Sequence, residues 1–159
     1  MNKNDRYALL YKQVEALAKG EENRVGVLAN VSAAMKEMFP EEYFWVGFYL
    51  VDADRKSLLL GPFQGSVACY TIPFGRGVCG TSWAQGQSLV VGDVESFPGH
   101  IACSSLSRSE IVVPMHRKTA GEGWEGAAEV WGVLDIDSTS LDTFDDIDRQ
   151  WLERIVALL

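Results

Sequence analysis

Positive charge is in short supply. The 159 residues carry 14 basic and 22 acidic side chains, a net charge of −8. Nucleic acid and anionic membranes are therefore excluded as expected partners, because both require a concentrated positive surface. No apolar run approaches the ~20 residues of a membrane span. The stretch Met1–Gln13 has no long apolar core and no small-residue cleavage site, so no secretory signal is expected and the expected compartment is cytoplasmic. Histidine occurs twice, and no C-x-x-C pair exists. The only short Cys/His spacing is His100-x-x-Cys103, so neither a metal nor a bound cofactor is expected. Three cysteines, Cys69, Cys79 and Cys103, cannot close a disulfide framework among themselves. In a reducing compartment a disulfide is more often transient and catalytic than structural.

What is present describes a globular chain. Apolar residues make up 47% and charged residues 23%, which excludes a disordered chain and fits one domain over residues 1–159. Two helices are expected first. Leu10, Val14 and Leu17 share a face of one, with Gly20 as its stop; Leu28, Val31, Met35 and Met38 share a face of the next, which ends at Pro40. Strands are expected at Phe44–Val51, Leu58–Leu60, Val67–Ile72, Ser88–Val91, Glu110–Met115 and Val130–Asp137. Gly75–Gln87 reads as a Gly-rich turn with a short helix, and Asp93–Arg108 as a loop. Lys118–Glu129 reads as a long hairpin tip. A last helix is expected after a Thr143 cap, with Phe144, Ile147, Trp151, Ile155 and Leu158 as its apolar stripe. This order gives an α+β fold: about six mainly antiparallel strands, with the N- and C-terminal helices on one side.

Four features carry possible chemistry. Gly75-Arg-Gly-Val-Cys79-Gly80 matches G-x-G-x-x-G, but seven residues between Gly80 and Ser88 are too few for a crossover helix, so a dinucleotide site is rejected. What remains is a tight turn opening a short helix, with backbone N–H groups near Cys79. The cysteines read either as buried apolar thiols or as a redox site, with Cys103 in a polar Gly/Ser-rich loop. An ordinary thiol of pKa ~8.5 is mostly protonated at neutral pH. Lowering it by ~1.5 units takes about 2 kcal/mol, which the N–H turn, Arg108 or His100 would supply. In Trp131–Asp137, Asp135 and Asp137 stand at i and i+2 and share a strand face, opposite Leu134 and Ile136. That face is either solvated or a pocket for a cationic group, with Glu110 in reach if the two strands pair; a proton shared among the carboxyls would make a general acid. Finally, Trp45 and Tyr49 share a face, where Gly47 leaves room for a small pocket.

Several of these segments resemble one family. The strand Phe44-Trp-Val-Gly-Phe-Tyr, the stretches Gly61-Pro-Phe-Gln-Gly65 and Ile72-Pro-Phe-Gly-Arg-Gly-Val-Cys79-Gly-Thr, and His100-Ile-Ala-Cys103-Ser are similar to those of the free methionine-(R)-sulfoxide reductases. So are Ser109-Glu110-Ile-Val-Val-Pro114 and Gly132-Val-Leu-Asp135-Ile-Asp137-Ser. The resemblance runs from about Asn30 to the C-terminal helix. It implies a GAF-like fold and reduction of free L-methionine-(R)-sulfoxide. It further implies Cys103 as the nucleophile that becomes a sulfenic acid, and Cys69 or Cys79, with Cys69 preferred, as the thiol that condenses with it. Thioredoxin, drawing on NADPH, is the implied reductant, and a homodimer the implied assembly. Glu110 and Asp137 are implied at the sulfoxide oxygen, Asp135 at the ammonium, and Trp45 and Tyr49 around the methyl group. Two other classes remain distinct in principle: a non-catalytic GAF sensory module, and a thiol protein that senses peroxide without stereoselectivity. The hairpin at Lys118–Glu129 is longer than the resemblance implies and is read as a surface insertion.

Overall fold

A computed structural model describes residues 1–118 and 129–159; the expected hairpin tip between Lys118 and Glu129 lies outside them. The elements run α1 (Lys3–Ala18), α2 (Arg24–Met38), β1 (Trp45–Asp52), β2 (Ser57–Gln64), β3 (Thr71–Pro73), α3 (Gly77–Gln85), β4 (Leu89–Val91), β5 (Ser109–His116), β6 (Val130–Ser138) and α4 (Asp146–Val156). Six antiparallel strands form one sheet in the order β3-β2-β1-β6-β5-β4. The α+β architecture and its antiparallel sheet match the expectation.

Strand alternation splits the sheet into two faces. Val46 and Phe48 of β1, Ile111, Val113 and Met115 of β5, and Leu134 and Ile136 of β6 pack against α1, α2 and α4. Residues of opposite parity, including Trp45, Tyr49, Val112 and Val133, pack against α3 and its flanking loops. The terminal helices are tied together beneath the first face. The Tyr7 hydroxyl donates to Asp148 at 2.6 Å and lies 2.7 Å from the Tyr43 hydroxyl, and Lys3 pairs with Asp148 at 2.8 Å. Burial, joined by the neighbouring Tyr43 and Asp148, pushes the Tyr7 phenol pKa far up, so this network works as neutral hydroxyls around one carboxylate.

Local expectations fail in three places, each for a physical reason. Residues 67–70 are not strand, and β3 begins only at Thr71. Within them the Cys69 carbonyl accepts from Tyr49 Oη at 3.1 Å and Tyr70 O from the Leu60 amide of β2 at 3.0 Å, while just before them Ser66 O accepts from Trp45 Nε1 at 3.0 Å. Asp145, not Thr143, caps α4. The Asp145 carboxylate accepts from the Ile147 and Asp148 amides while Asp148 accepts from the Asp145 amide, a reciprocal capping box. The Thr143 hydroxyl is engaged with Ser138 Oγ and Ser140 O. The buried stripe of α4 is Asp148, Leu152, Ile155 and Val156, and Ile147 is exposed, because Asp148 turns inward onto Tyr7. Among the described residues no helix is long and apolar enough to cross a membrane.

Candidate active site

The α3 face of the sheet is not fully covered. Between it, the start of α3 and the loops around 66–68 and 100–107 lies a cleft of about 540 Å³, including its open mouth. Register brings the expected residues to its floor. β6 runs between β1 and β5, so Asp137 pairs with Trp45 on one side and Glu110 on the other, while Asp135 pairs with Gly47 and Val112. Trp45, Tyr49, Cys79, Cys103, Glu110, Asp135 and Asp137 all line the cleft. Cys69 does not line it, but is disulfide-bonded to Cys103 at its edge, with the two Cα atoms 5.5 Å apart.

Two of the three carboxyls are buried, and Asp137 is partly exposed at the cleft. Glu110 is 5% and Asp135 6% exposed. Burial, and behind it the neighbouring Asp135 and Asp137, drives the Glu110 carboxyl well above the usual range. Burial followed by Asp135 does the same to Asp137. Burial also raises Asp135, opposed by hydrogen bonds from Glu110 and Cys79. Packing like charges together out of water forces protons to be shared among them. One oxygen, Asp135 Oδ1, is buried without a hydrogen-bond partner. Such an atom is costly in a folded chain unless a ligand supplies the donor. Cys79 is buried and reduced, its Sγ 3.9 Å from Glu110 Oε2. Burial, then Asp135 and Glu110, pushes its thiol well up, so it is an inert neutral group rather than a thiolate.

Beside the acids, on the neighbouring strand, the wall is aromatic. Trp45 stacks on Tyr49 with centroids 5.9 Å apart and on Phe63 at 5.2 Å. Gly47 does not leave an empty space, as expected from the sequence. A Cβ there would lie 2.3 Å from Phe63 Cβ and 2.8 Å from the Trp45 ring, so the missing side chain lets those two rings close the wall. The Gly-rich turn behaves as the turn reading requires: Gly75 and Gly77 take φ of +75° and +63°, and the chain passes directly into α3.

Of the three groups expected near Cys103, the turn and His100 line the cleft and Arg108 does not. Arg108 is held outside by its backbone, its amide donating to Ser138 O and its carbonyl accepting from Val94. His100 Nε2 lies 4.0 Å from Glu110 Oε1, and burial pushes its pKa down. Arg76, which sequence reasoning passed over, is the cation that lines the cleft; its place at the head of α3 was the available signal. Ser66, Ile101, Ser104 and Ser107 were also missed, since loop residues carry no periodic signature.

Comparison with known proteins gives a consistent picture. A family model described as a GAF domain matches residues 21–159. A protein of Dictyostelium discoideum named GAF domain-containing protein A is 51% identical, the alignment covering 99% of this chain and 92% of that one. The free methionine-R-sulfoxide reductase of Escherichia coli is 46% identical over 100% of this chain and 89% of its own length. A crystal structure of free methionine-R-sulfoxide reductase from Neisseria meningitidis in complex with its substrate superposes with a TM-score of 0.89 and 47% identity, covering 99% of this chain and 88% of that one.

Proposed function

The chain belongs to the GAF domain family, among its free methionine-(R)-sulfoxide reductases, and from that premise we propose that it reduces free L-methionine-(R)-sulfoxide as a single-domain enzyme. The observation that carries the reading is the disulfide of Cys69 with Cys103 at the edge of a cleft floored by Glu110, Asp135 and Asp137. In the reduced enzyme the Cys103 thiolate attacks the sulfoxide sulfur. The sulfoxide oxygen is a poor leaving group until protonated, and Glu110 and Asp137, whose carboxyls burial pushes upward toward the protonated form, supply the proton. The Cys103 sulfur is then bonded to the substrate sulfur; the protonated oxygen passes to Cys103 as that S–S bond breaks, its electron pair leaves with methionine, and Cys103 is left as a sulfenic acid. The Cys69 thiol then attacks Cys103, water leaves, and the disulfide forms.

Each wall of the cleft suits a part of the substrate. Asp135, with its unpartnered Oδ1, takes the ammonium, and Trp45 and Tyr49 enclose the methyl group. A cleft that strips water from a charged amine discriminates against a peptide, which lacks that amine. Cys79 takes no electrons in this cycle, because it is buried beside Glu110 rather than paired with Cys103. Thioredoxin returns the disulfide to thiols, drawing on NADPH through its reductase. The cytoplasm suits such a cycle, and a homodimer is the assembly to test by light scattering.

The direct test supplies the separated R and S epimers of free methionine sulfoxide with thioredoxin, its reductase and NADPH. NADPH loss with the R epimer alone, and none with a peptide-bound sulfoxide, is the expected result. Equal turnover of both epimers, or none when dithiothreitol replaces thioredoxin, overturns the proposal.

A further inference from the structure

The two loops that hold the disulfide have an unusual surface. Among the described residues, the two most exposed large apolar side chains are Val67 and Tyr70, at 87% and 82%. They stand on either side of Cys69. Leu106, 60% exposed, follows Cys103 by three residues. The disulfide brings the two loops together with Cα atoms 5.5 Å apart; Val67 borders the cleft, whereas Leu106 borders a separate hollow with Asp93, Glu95 and Arg108. The same segments carry no formal charge. No Asp, Glu, Lys or Arg occurs from Ser57 to Gly75 or from Ser96 to Ser107, in a chain that is 23% charged. The single histidine there, His100, has its pKa pushed down by burial and is neutral at pH 7. Solvated loops of an acidic chain ordinarily carry charge, and the exposed apolar pair Val67 and Tyr70, beside the disulfide on an uncharged segment, marks a docking face.

Resting on the cycle proposed above, we infer that Val67 and Tyr70 form a docking rim for a protein dithiol with an uncharged apolar face, and that its thiolate attacks Cys69 Sγ. Cys103 lines the cleft and Cys69 does not, so Cys69 is the sulfur on the rim side. Attack there makes a mixed disulfide between the partner and Cys69 and breaks the bond to Cys103, which leaves as a thiolate facing the cleft. The partner's second thiol then attacks the mixed disulfide and frees Cys69. Two electrons and two protons pass from the dithiol to the chain, and the partner departs oxidised. A small dithiol needs no rim, so rim and chemistry separate experimentally.

The test follows reduction of the oxidised protein with no sulfoxide present, using thioredoxin with its reductase and NADPH in one arm and dithiothreitol in the other. Tyr70→Asp and Tyr70→Ala are expected to slow the thioredoxin arm about tenfold or more, the scale of losing an interface anchor, and to leave the dithiothreitol arm within about twofold. Thioredoxin lacking its second active-site cysteine is expected to be trapped on Cys69. The inference fails if both arms slow equally, if neither slows, or if the wild-type disulfide yields to dithiothreitol but not to thioredoxin. It also fails if the trap maps to Cys103, or if the variants dissociate a homodimer and so place a second copy on the rim. Dithiothreitol-driven sulfoxide turnover in the same variants tests the proposed function separately.

Discussion

Oxidation and reduction of the Cys69–Cys103 pair should change the stability of the whole fold. The disulfide spans a sequence separation of 34. Closing a loop of that length removes about 3.8 kcal/mol of chain entropy from the unfolded state in the loop-closure model, near the upper part of the usual 2–4 kcal/mol range. For a domain of this size about 1 kcal/mol moves the melting temperature by ~2–4 °C, so reduction should lower it by roughly 8–15 °C. The assay is scanning calorimetry of the oxidised protein, of the same protein in a phosphine reductant, and of Cys69→Ser and Cys79→Ser in both. Wild type and Cys79→Ser should both respond to the reductant. Cys69→Ser should melt near the reduced wild type with or without it. A reductant shift that persists in Cys69→Ser, or vanishes in Cys79→Ser, would refute the pairing. A shift below about 2 °C would refute the entropic argument.

Other perturbations separate the roles of individual groups. Cys103→Ser should abolish turnover, whereas Cys69→Ser should release one equivalent of methionine and then stall under thioredoxin, as chromatography of the product would register. Glu110→Gln should lower kcat by about 10²–10⁴-fold while raising the melting temperature at pH 7. The sign follows from the upward shift of the Glu110 carboxyl: the folded chain binds its proton more tightly than the unfolded one. Wild-type stability is therefore lost as pH rises above the ordinary Glu pKa of ~4.3. The advantage of Glu110→Gln should shrink as pH falls toward that value, and a melting temperature unchanged across the range would contradict it. Gly47→Ala places a methyl 2.3 Å from Phe63 Cβ, so a loss of about 1–3 kcal/mol from overpacking is expected in urea titrations.

Much of this arrangement was legible because strands alternate strictly. The run Trp131–Asp137 set two acids on one face and two apolar residues on the other, and Trp45 and Tyr49 followed the same rule on β1. Whether that acidic face meets water is not a local property; it depends on α3 and the 100–107 loop folding over it. Val67–Ile72 has a strand-like composition, yet the Tyr49 hydroxyl on the Cys69 carbonyl and the bond to Cys103 hold its first part off the sheet. The α4 cap shows a limit of another kind. Thr143 and Asp145 are both good caps, but the Thr143 hydroxyl donates to Ser138 Oγ and Ser140 O, while Asp145 gains the reciprocal box with Asp148. Arg108 and Arg76 were equally available cations near the cysteines in sequence, and backbone pairing of Arg108 with Ser138 and Val94 removed one of them from the cleft.

The central claim is that the R epimer itself oxidises Cys103 and Cys69. It is tested most directly by mixing the fully reduced protein with free methionine-(R)-sulfoxide without reductant and mapping the thiols by mass spectrometry. The account predicts one methionine released per chain, a Cys69–Cys103 disulfide, and Cys79 still reduced. Unchanged thiols with no methionine released, or a disulfide that includes Cys79, would contradict it.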